Sequence, residues 1–157
     1  MTVLDLGCGP GFFSVDLALM VGKSGRVIAT DMQEGMLRKL QQKIQGTDIE
    51  ELILLHRCEP DKIGWSGQVD FVLAFYVMHE IPDQGKLFRE LAAILPRKGQ
   101  VLVVEPPFHV GKSEFQETVR KAQTAGFNPL EGPKVILSKT VISLFHHKMK
   151  RTGWFNF

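Results

Sequence analysis

Two acids and a cluster of glycines carry the chemistry legible in this chain: Asp5-Leu6-Gly7-Cys8-Gly9-Pro10-Gly11 and, twenty residues past Gly11, Asp31. Glycines adopt positive φ at little cost, and without a Cβ they let a ligand lie directly against backbone N–H groups. An acid at the carboxyl end of the neighbouring strand can accept hydrogen bonds from two ribose hydroxyls. The pair points to a nucleoside-containing cofactor. Both features need strands to hold them, and residues 2–6 and 26–30 read as buried strands with a helix over 12–20 between them. Loop and acid then emerge at one edge of a parallel sheet, the edge where open α/β sheets bind ligands. Asp31 has an alternative role as N-cap of the helix beginning at Gln33. The glycine loop beside it favours ligand binding.

A dinucleotide fingerprint needs G-x-G-x-x-G, but Phe12 stands in the last position when counting from Gly7 and Ser14 when counting from Gly9. The observed spacing, Asp-x-Gly-x-Gly-x-Gly, resembles motif I of the class I S-adenosylmethionine-dependent methyltransferases. Further segments keep that family's order. Val27-Ile28-Ala29-Thr30-Asp31-Met32 is similar to its second strand and ribose-binding acid. Residues 69–83, from Val69-Asp70-Phe71 to Ile81-Pro82-Asp83, look like its fourth strand and following loop. Leu95-Pro96-Arg97-Lys98-Gly99 resembles the turn into its fifth strand.

The resemblance implies an α/β, Rossmann-like three-layer sandwich. Its mostly parallel seven-stranded sheet has an antiparallel last strand inserted between the fifth and sixth. Because the first strand begins at Met1, the expected fold lacks the usual N-terminal lid helices. The implied cofactor is S-adenosylmethionine. Backbone around Gly7, Gly9 and Gly11, with Cys8 as the small residue of the turn, would lie along its methionine part. Asp5 would orient the loop or accept from the amino group, and Asp31, followed by Met32, would hold the ribose. Cys58 falls where the family usually has an adenine-facing Asp, and Glu59 beside it is the better acceptor. Phe75 matches a position that often contacts the cofactor. The implied activity is methyl transfer to a small-molecule acceptor by direct in-line displacement, similar to the ubiquinone and menaquinone biosynthesis group.

A base for the acceptor is less plainly written. His79 follows the fourth strand on the ligand edge, and an imidazole suits proton removal near neutrality. Glu80 and Glu105 share that edge. A loop histidine with a purely structural role is the alternative. Glu105-Pro106-Pro107-Phe108 follows the fifth strand and reads as a rigid loop. His146-His147 would point to opposite faces of a strand, so no metal is expected.

Strand-like apolar runs alternate with stretches of helical periodicity as far as about Phe127, as in a parallel sheet covered on both faces. Helices are expected at 12–20, 34–44, 84–94 and 112–125. Met36, Leu37, Leu40 and Ile44 share the buried face of the second, with Met36 also a candidate cofactor contact. Further strands are expected at 52–56, 69–75, 100–105, 134–137 and 140–145, the last two closing as a hairpin through Ser138-Lys139. The crossover over 59–68, with Pro60, Gly64 and Gly67, reads as short or irregular.

The 157 residues suit one domain spanning 1–157, and 44% hydrophobic with 23% charged residues is an ordinary globular balance. A net charge of +2 argues against a polyanionic partner, so no nucleic acid is expected, and Lys148-Met149-Lys150-Arg151 reads as a solvated end. Two cysteines fifty residues apart fit neither a disulfide framework nor zinc. No segment approaches the length of a bilayer span, and the protein is read as cytoplasmic. Oligomeric state is left open by the sequence. Two other functions stand beside the leading one. The first is a cofactor-binding or interaction domain without independent catalysis, suggested by the absent upstream lid; the aromatic end Trp154-Phe155-Asn156-Phe157 reads as a frayed tail, with a cover over the open site or a neighbouring subunit as the alternative. The second is a nicotinamide-dependent oxidoreductase, which Phe12 disfavours.

Overall fold

The computed structural model describes residues 1–135 and 138–145. Strands β1 (Thr2–Leu6), β2 (Arg26–Asp31), β3 (Ile53–Arg57), β4 (Phe71–Phe75), β5 (Gln100–Glu105), β6 (Phe127–Glu131) and β7 (Lys139–Phe145) form one sheet in the order β3-β2-β1-β4-β5-β7-β6. Pairing from β3 through β5 is parallel, and β7 runs antiparallel to both neighbours, as the family resemblance implies. The strand order reverses direction between β1 and β4. Ligands bind α/β sheets at such a switch point, because the connections on either side depart to opposite faces and leave a crevice.

Helices α1 (Ser14–Val21) and α2 (Glu34–Ile44) cover one face, where Ala18, Leu37, Leu40 and Ile44 pack on Val27 and Ala29 of β2. Helices α3 (Gln84–Ile94) and α4 (Lys112–Thr124) belong to the other face, where Leu87, Phe88 and Leu91 pack with Ile28, Val72 and Val101. Residues 27, 28 and 29 thus alternate between two cores, the period-two signature of a strand buried on both sides. One polar network ties α3 to α4 inside the second core. Buried Gln84 donates through Nε2 to the Met78 carbonyl (2.7 Å) and accepts from the Thr118 hydroxyl (3.0 Å).

The closing hairpin departs from expectation. Its first strand is β6 at Phe127–Glu131, while Lys134 and Val135 lie outside any strand and residues 136–137 lie outside those described. Pro129 lies on this edge strand, where a missing N–H need break no ladder. Packing decides the register: Phe127 stacks against Phe88 and Phe145 at centroid distances of 5.7 and 5.3 Å. The crossover after β3 is irregular as expected, beyond a single bridge between Glu59 and Lys62. It is held down by Glu90 of α3, whose carboxylate accepts from the N–H groups of Ile63 (2.9 Å) and Gly64 (2.7 Å). Of the expected loop at 105–108, Glu105 still belongs to β5 and the chain turns at 107–109, while residues 146–157, with the paired histidines, the basic cluster and the aromatic end, lie outside the described residues.

Candidate active site

The glycine loop joins β1 to α1 in a left-handed path, with Gly7, Gly9 and Gly11 at φ of 69°, 54° and 81°. At Gly7 a Cβ would stand 2.5 Å from Val77 Cγ2, and at Gly11 it would stand 2.3 Å from Leu40 Cδ1. Two of the three glycines are therefore demanded by close packing as well as by φ. Gly11 packs against Leu40, and its carbonyl accepts from Lys43 Nζ (2.9 Å), so it closes the loop onto α2 and does not border the three clefts described below. Cys8 turns inward. Its thiol is buried in the core under α1 and α2, and burial, reinforced by Asp5 and Asp31, raises its pKa far above the ordinary thiol range.

Asp31 ties loop and strand together. Its Oδ2 accepts from the Gly9 N–H (2.9 Å) and its Oδ1 from the Gln33 N–H (2.8 Å). It does not cap α2, whose N-cap is Gln33. Each carboxylate oxygen has further acceptor capacity beyond that single N–H. Asp5, only 2% exposed, faces α1 and accepts from the Ser14 hydroxyl at 2.6 Å. Burial pushes its carboxyl up to about 6, against the lowering effect of Ser14 and with the added repulsion of Asp31.

Among the described residues, three clefts open at this sheet edge. One is bordered by Asp31, Met32, Gln33, Cys58, Glu59, Lys62 and Ile63, and continues past Gly7 to Tyr76, Val77 and Glu80. A second shares Met32, Cys58 and Glu59 with it and adds Arg57. The third, at the other end, is bordered by Asp5, Gly7, Cys8, Gly9, Phe12, Phe13, Phe75 and Tyr76. First and third meet at Gly7 and Tyr76. The structure thus gathers Asp5, Gly7, Cys8, Gly9, Asp31, Met32, Cys58, Glu59 and Phe75 around one continuous crevice. Met36, in the first turn of α2, borders none of the three. Burial pushes the Cys58 thiol up to about 11, and Glu59 lies exposed beside Lys62 Nζ at 3.4 Å.

Sequence reasoning gave Val77 no site role and left Tyr76, with Phe75, between flanking the cofactor and filling the core; both Tyr76 and Val77 border the first cleft. Tyr76 sits at φ 56°, a conformation that a bulky residue adopts only when its surroundings hold it there. It is held by its N–H to the Val104 carbonyl (2.8 Å), by its hydroxyl to Ser138 Oγ (2.7 Å) and by stacking on Phe75 (4.3 Å). The one legible signal is its place directly after β4, at the switch-point edge. His79 lies two residues beyond Val77, in a 3₁₀ turn over Met78–Glu80. Its Nδ1 shares a 2.6 Å hydrogen bond with Glu105 Oε2, and its backbone N–H donates to Glu105 Oε1 at 3.2 Å. Glu105 is 1% exposed, and burial raises its pKa even against the His79 contacts. His79 borders none of the three clefts. Among the described residues no group of three or more His, Cys, Asp or Glu converges as a metal site, and no helix is long and apolar enough to cross a membrane.

The sheet order, the antiparallel β7 and a glycine loop facing an acid across β1 and β2 define an α/β domain of the Rossmann-like methyltransferase class. Residues 1–151 match a family described as a methyltransferase domain, and the chain belongs to it. It is 31% identical over 103 residues to a demethylmenaquinone methyltransferase of Lactobacillus johnsonii, covering 65% of this chain and 42% of that protein. A demethylmenaquinone methyltransferase of Oceanobacillus iheyensis is 29% identical over 104 residues, covering 66% and 44%. The chain thus spans less than half the length of these relatives. Among solved structures, a SAM-dependent methyltransferase from Aquifex aeolicus superposes with a TM-score of 0.74 at 26% identity, covering 92% of this chain and 80% of that one. One from Methanosarcina mazei shares the fold at TM-score 0.72 and 15% identity, with 92% of each chain covered.

Proposed function

We propose that this protein binds S-adenosylmethionine and catalyses transfer of its methyl group to a small-molecule acceptor in the cytoplasm. The carrying observation is the crevice that runs from Asp31 past Gly7 to Asp5 along the carboxyl edge of β1 and β2. The residues present fit the group. Asp31 keeps acceptor capacity for the ribose hydroxyls, and Cys58, Glu59 and Met32 border the compartment for the base. The loop exposes backbone at Gly7 and Gly9 beside the acid-lined compartment for the methionine end. A pyrophosphate-binding dinucleotide fits less well, because Phe12 occupies the place of the third glycine of that fingerprint. The relatives named for demethylmenaquinone favour a phenolic or quinol-like acceptor.

S-adenosylmethionine supplies an activated methyl on a good leaving group, so the protein's task is placement within ~3 Å of the nucleophile and in line with the breaking bond. Asp31 fixes one end of the site to the glycine loop. Val77 packs into the space left by Gly7 and sets the width of the crevice. His79 is the candidate proton acceptor. With Nδ1 engaged by Glu105, Nε2 is the nitrogen free to take a proton from an acceptor hydroxyl.

The test is calorimetric titration of the folded chain with S-adenosylmethionine and, in parallel, NAD. Binding of the first alone, weakened at least about tenfold in Asp31→Ala with the fold checked by circular dichroism, is the expected outcome. No binding to the folded chain would overturn the reading. In a methyl-transfer assay with phenolic and quinol acceptors, His79→Gln is expected to lower kcat by about 10²-fold while donor affinity holds. Unchanged kcat would remove His79 from the chemistry.

A further inference from the structure

The crossover between β3 and β4 contains no helix, so its backbone groups must find partners elsewhere. The first half of it is pinned from α3. Residues 59–62 close a tight turn, in which the Glu59 N–H donates to the Lys62 carbonyl (2.9 Å) and the Lys62 N–H to the Glu59 carbonyl (3.4 Å). At its tip Asp61 pairs with Lys86 Nζ of α3 at 3.0 Å. One helical turn along the same face of α3, the Glu90 carboxylate takes the Ile63 and Gly64 N–H groups. His56 of β3 meets the Ile63 carbonyl through Nε2 at 2.7 Å. Ile63, 1% exposed, is thus held by side chains at both its N–H and its carbonyl. The second half is held differently. Among the described residues no side-chain hydrogen bond reaches 65–68, and the buried Trp65 Nε1 has no partner. The pinned half is the half that borders the crevice: Glu59, Pro60, Lys62 and Ile63 line the first cleft, as does Leu87 of α3. Lys86 and Glu90 line none of the three clefts. Satisfying backbone groups would explain these bonds but not their concentration on the cleft wall.

We propose that Glu90 and Lys86 are positioning residues that fix the wall 59–63 from behind and thereby set the preference of the first cleft for adenine over a 6-oxo purine. This rests on the donor proposed above and deepens it. The wall carries the Glu59 carboxylate, an acceptor that suits the amino group of adenine and opposes the carbonyl oxygen of hypoxanthine. Discrimination of this kind needs the acceptor in place before the base arrives, because a wall free to retreat relieves the mismatch. Lys86 and Glu90 supply the restraint with opposite charges, one on the Asp61 carboxylate and the other on backbone N–H groups.

The experiment measures dissociation constants by calorimetry for S-adenosylhomocysteine and for S-inosylhomocysteine, in which hypoxanthine replaces adenine. Contacts to the ribose and the amino-acid end are common to both ligands and cancel in the affinity ratio. The proteins are the native chain, Glu90→Gln, Lys86→Asp and the swapped pair Lys86→Asp with Asp61→Lys, each studied well below its melting temperature. The native chain is expected to prefer the adenine ligand by about tenfold or more. Glu90→Gln, which loses one of two charged acceptors, is expected to narrow that ratio by about five- to tenfold. Lys86→Asp should narrow it by about three- to fivefold, and the swapped pair should return it to within about twofold of the native value. A lowered melting temperature with an unchanged ratio, or equal weakening of both ligands, would overturn the proposal and leave the bonds as structural. A native chain that binds both ligands equally would overturn it as well. If Glu90→Gln does not fold, the charge swap decides alone, and failure to restore the ratio counts against the proposal. Absence of binding of either ligand by the folded native chain would instead overturn the donor assignment itself.

Discussion

Asp5 is the residue whose chemistry most exceeds its hydrogen bonds. Its carboxyl stands at about 6 in the folded protein against 3.8 for the free group, chiefly because burial penalises the charged form. The folded chain then binds that proton more tightly than the unfolded chain does. Its contribution to stability is full below about pH 4 and is lost as pH rises through about 6, a swing of about 3 kcal/mol by linkage. Asp5→Asn keeps an acceptor for Ser14 and abolishes the titration. Relative to the native chain, its urea-unfolding free energy is expected to gain about 2–3 kcal/mol between pH 4 and pH 8. A difference constant over that range would refute the assignment. The two thiols behave differently again. Raised by burial, both are expected to react slowly with a disulfide reagent at pH 8, and ligand in the crevice should protect the half-buried Cys58 more than Cys8, whose thiol the core already covers.

The glycine loop and α2 form one unit, because the turn at Gly11 is possible only where Leu40 leaves room for a hydrogen and nothing larger. Gly11→Ala introduces both a strained φ of 81° and a contact of 2.3 Å, and is expected to destabilise by about 2–4 kcal/mol in denaturant unfolding. Leu40→Ala opens the space but not the dihedral. In a double-mutant cycle the two should couple favourably by about 1–2 kcal/mol, with residual strain left over. On the opposite face, Thr118→Val strands the buried Gln84 carbonyl and is expected to cost about 1–2 kcal/mol. A cost within a few tenths would mean that Gln84 finds another donor.

Over the whole molecule, the crevice draws on both cores: Asp5, Asp31 and the loop stand against α1 and α2, whereas Tyr76 and Val77 follow the strand packed under α3 and α4. A ligand bridging them stabilises the native state by mass action. S-adenosylmethionine at a hundredfold excess over its dissociation constant is expected to add about 2.7 kcal/mol, a rise of about 5–10 °C in Tm, with NAD giving none. How much of this arrangement was legible follows from range in sequence. The strand-loop-helix start, Asp31 at the end of β2, the amphipathic α2 and α3 and the irregular crossover are local patterns of period two, of period 3.6 or of turn residues, and each could be read in place. Resemblance added the order of the sheet and the antiparallel β7. Other features come from pairs far apart in the chain. Glu105 meets His79 across 26 residues and Tyr76 meets Ser138 across 62. Phe127–Glu131 becomes a strand only because β7 offers it a ladder and Phe88 and Phe145 bury its first ring. The amino-acid sequence alone determined that a glycine loop and an acid would stand side by side at a sheet edge, since strand length and helix period set where each emerges. Only the tertiary structure decided that Gly11 would serve Leu40, that Tyr76 would be held left-handed, and that rings from two distant segments, 12–13 and 75–76, would meet beside Asp5, because those outcomes depend on packing between elements that no local pattern encodes.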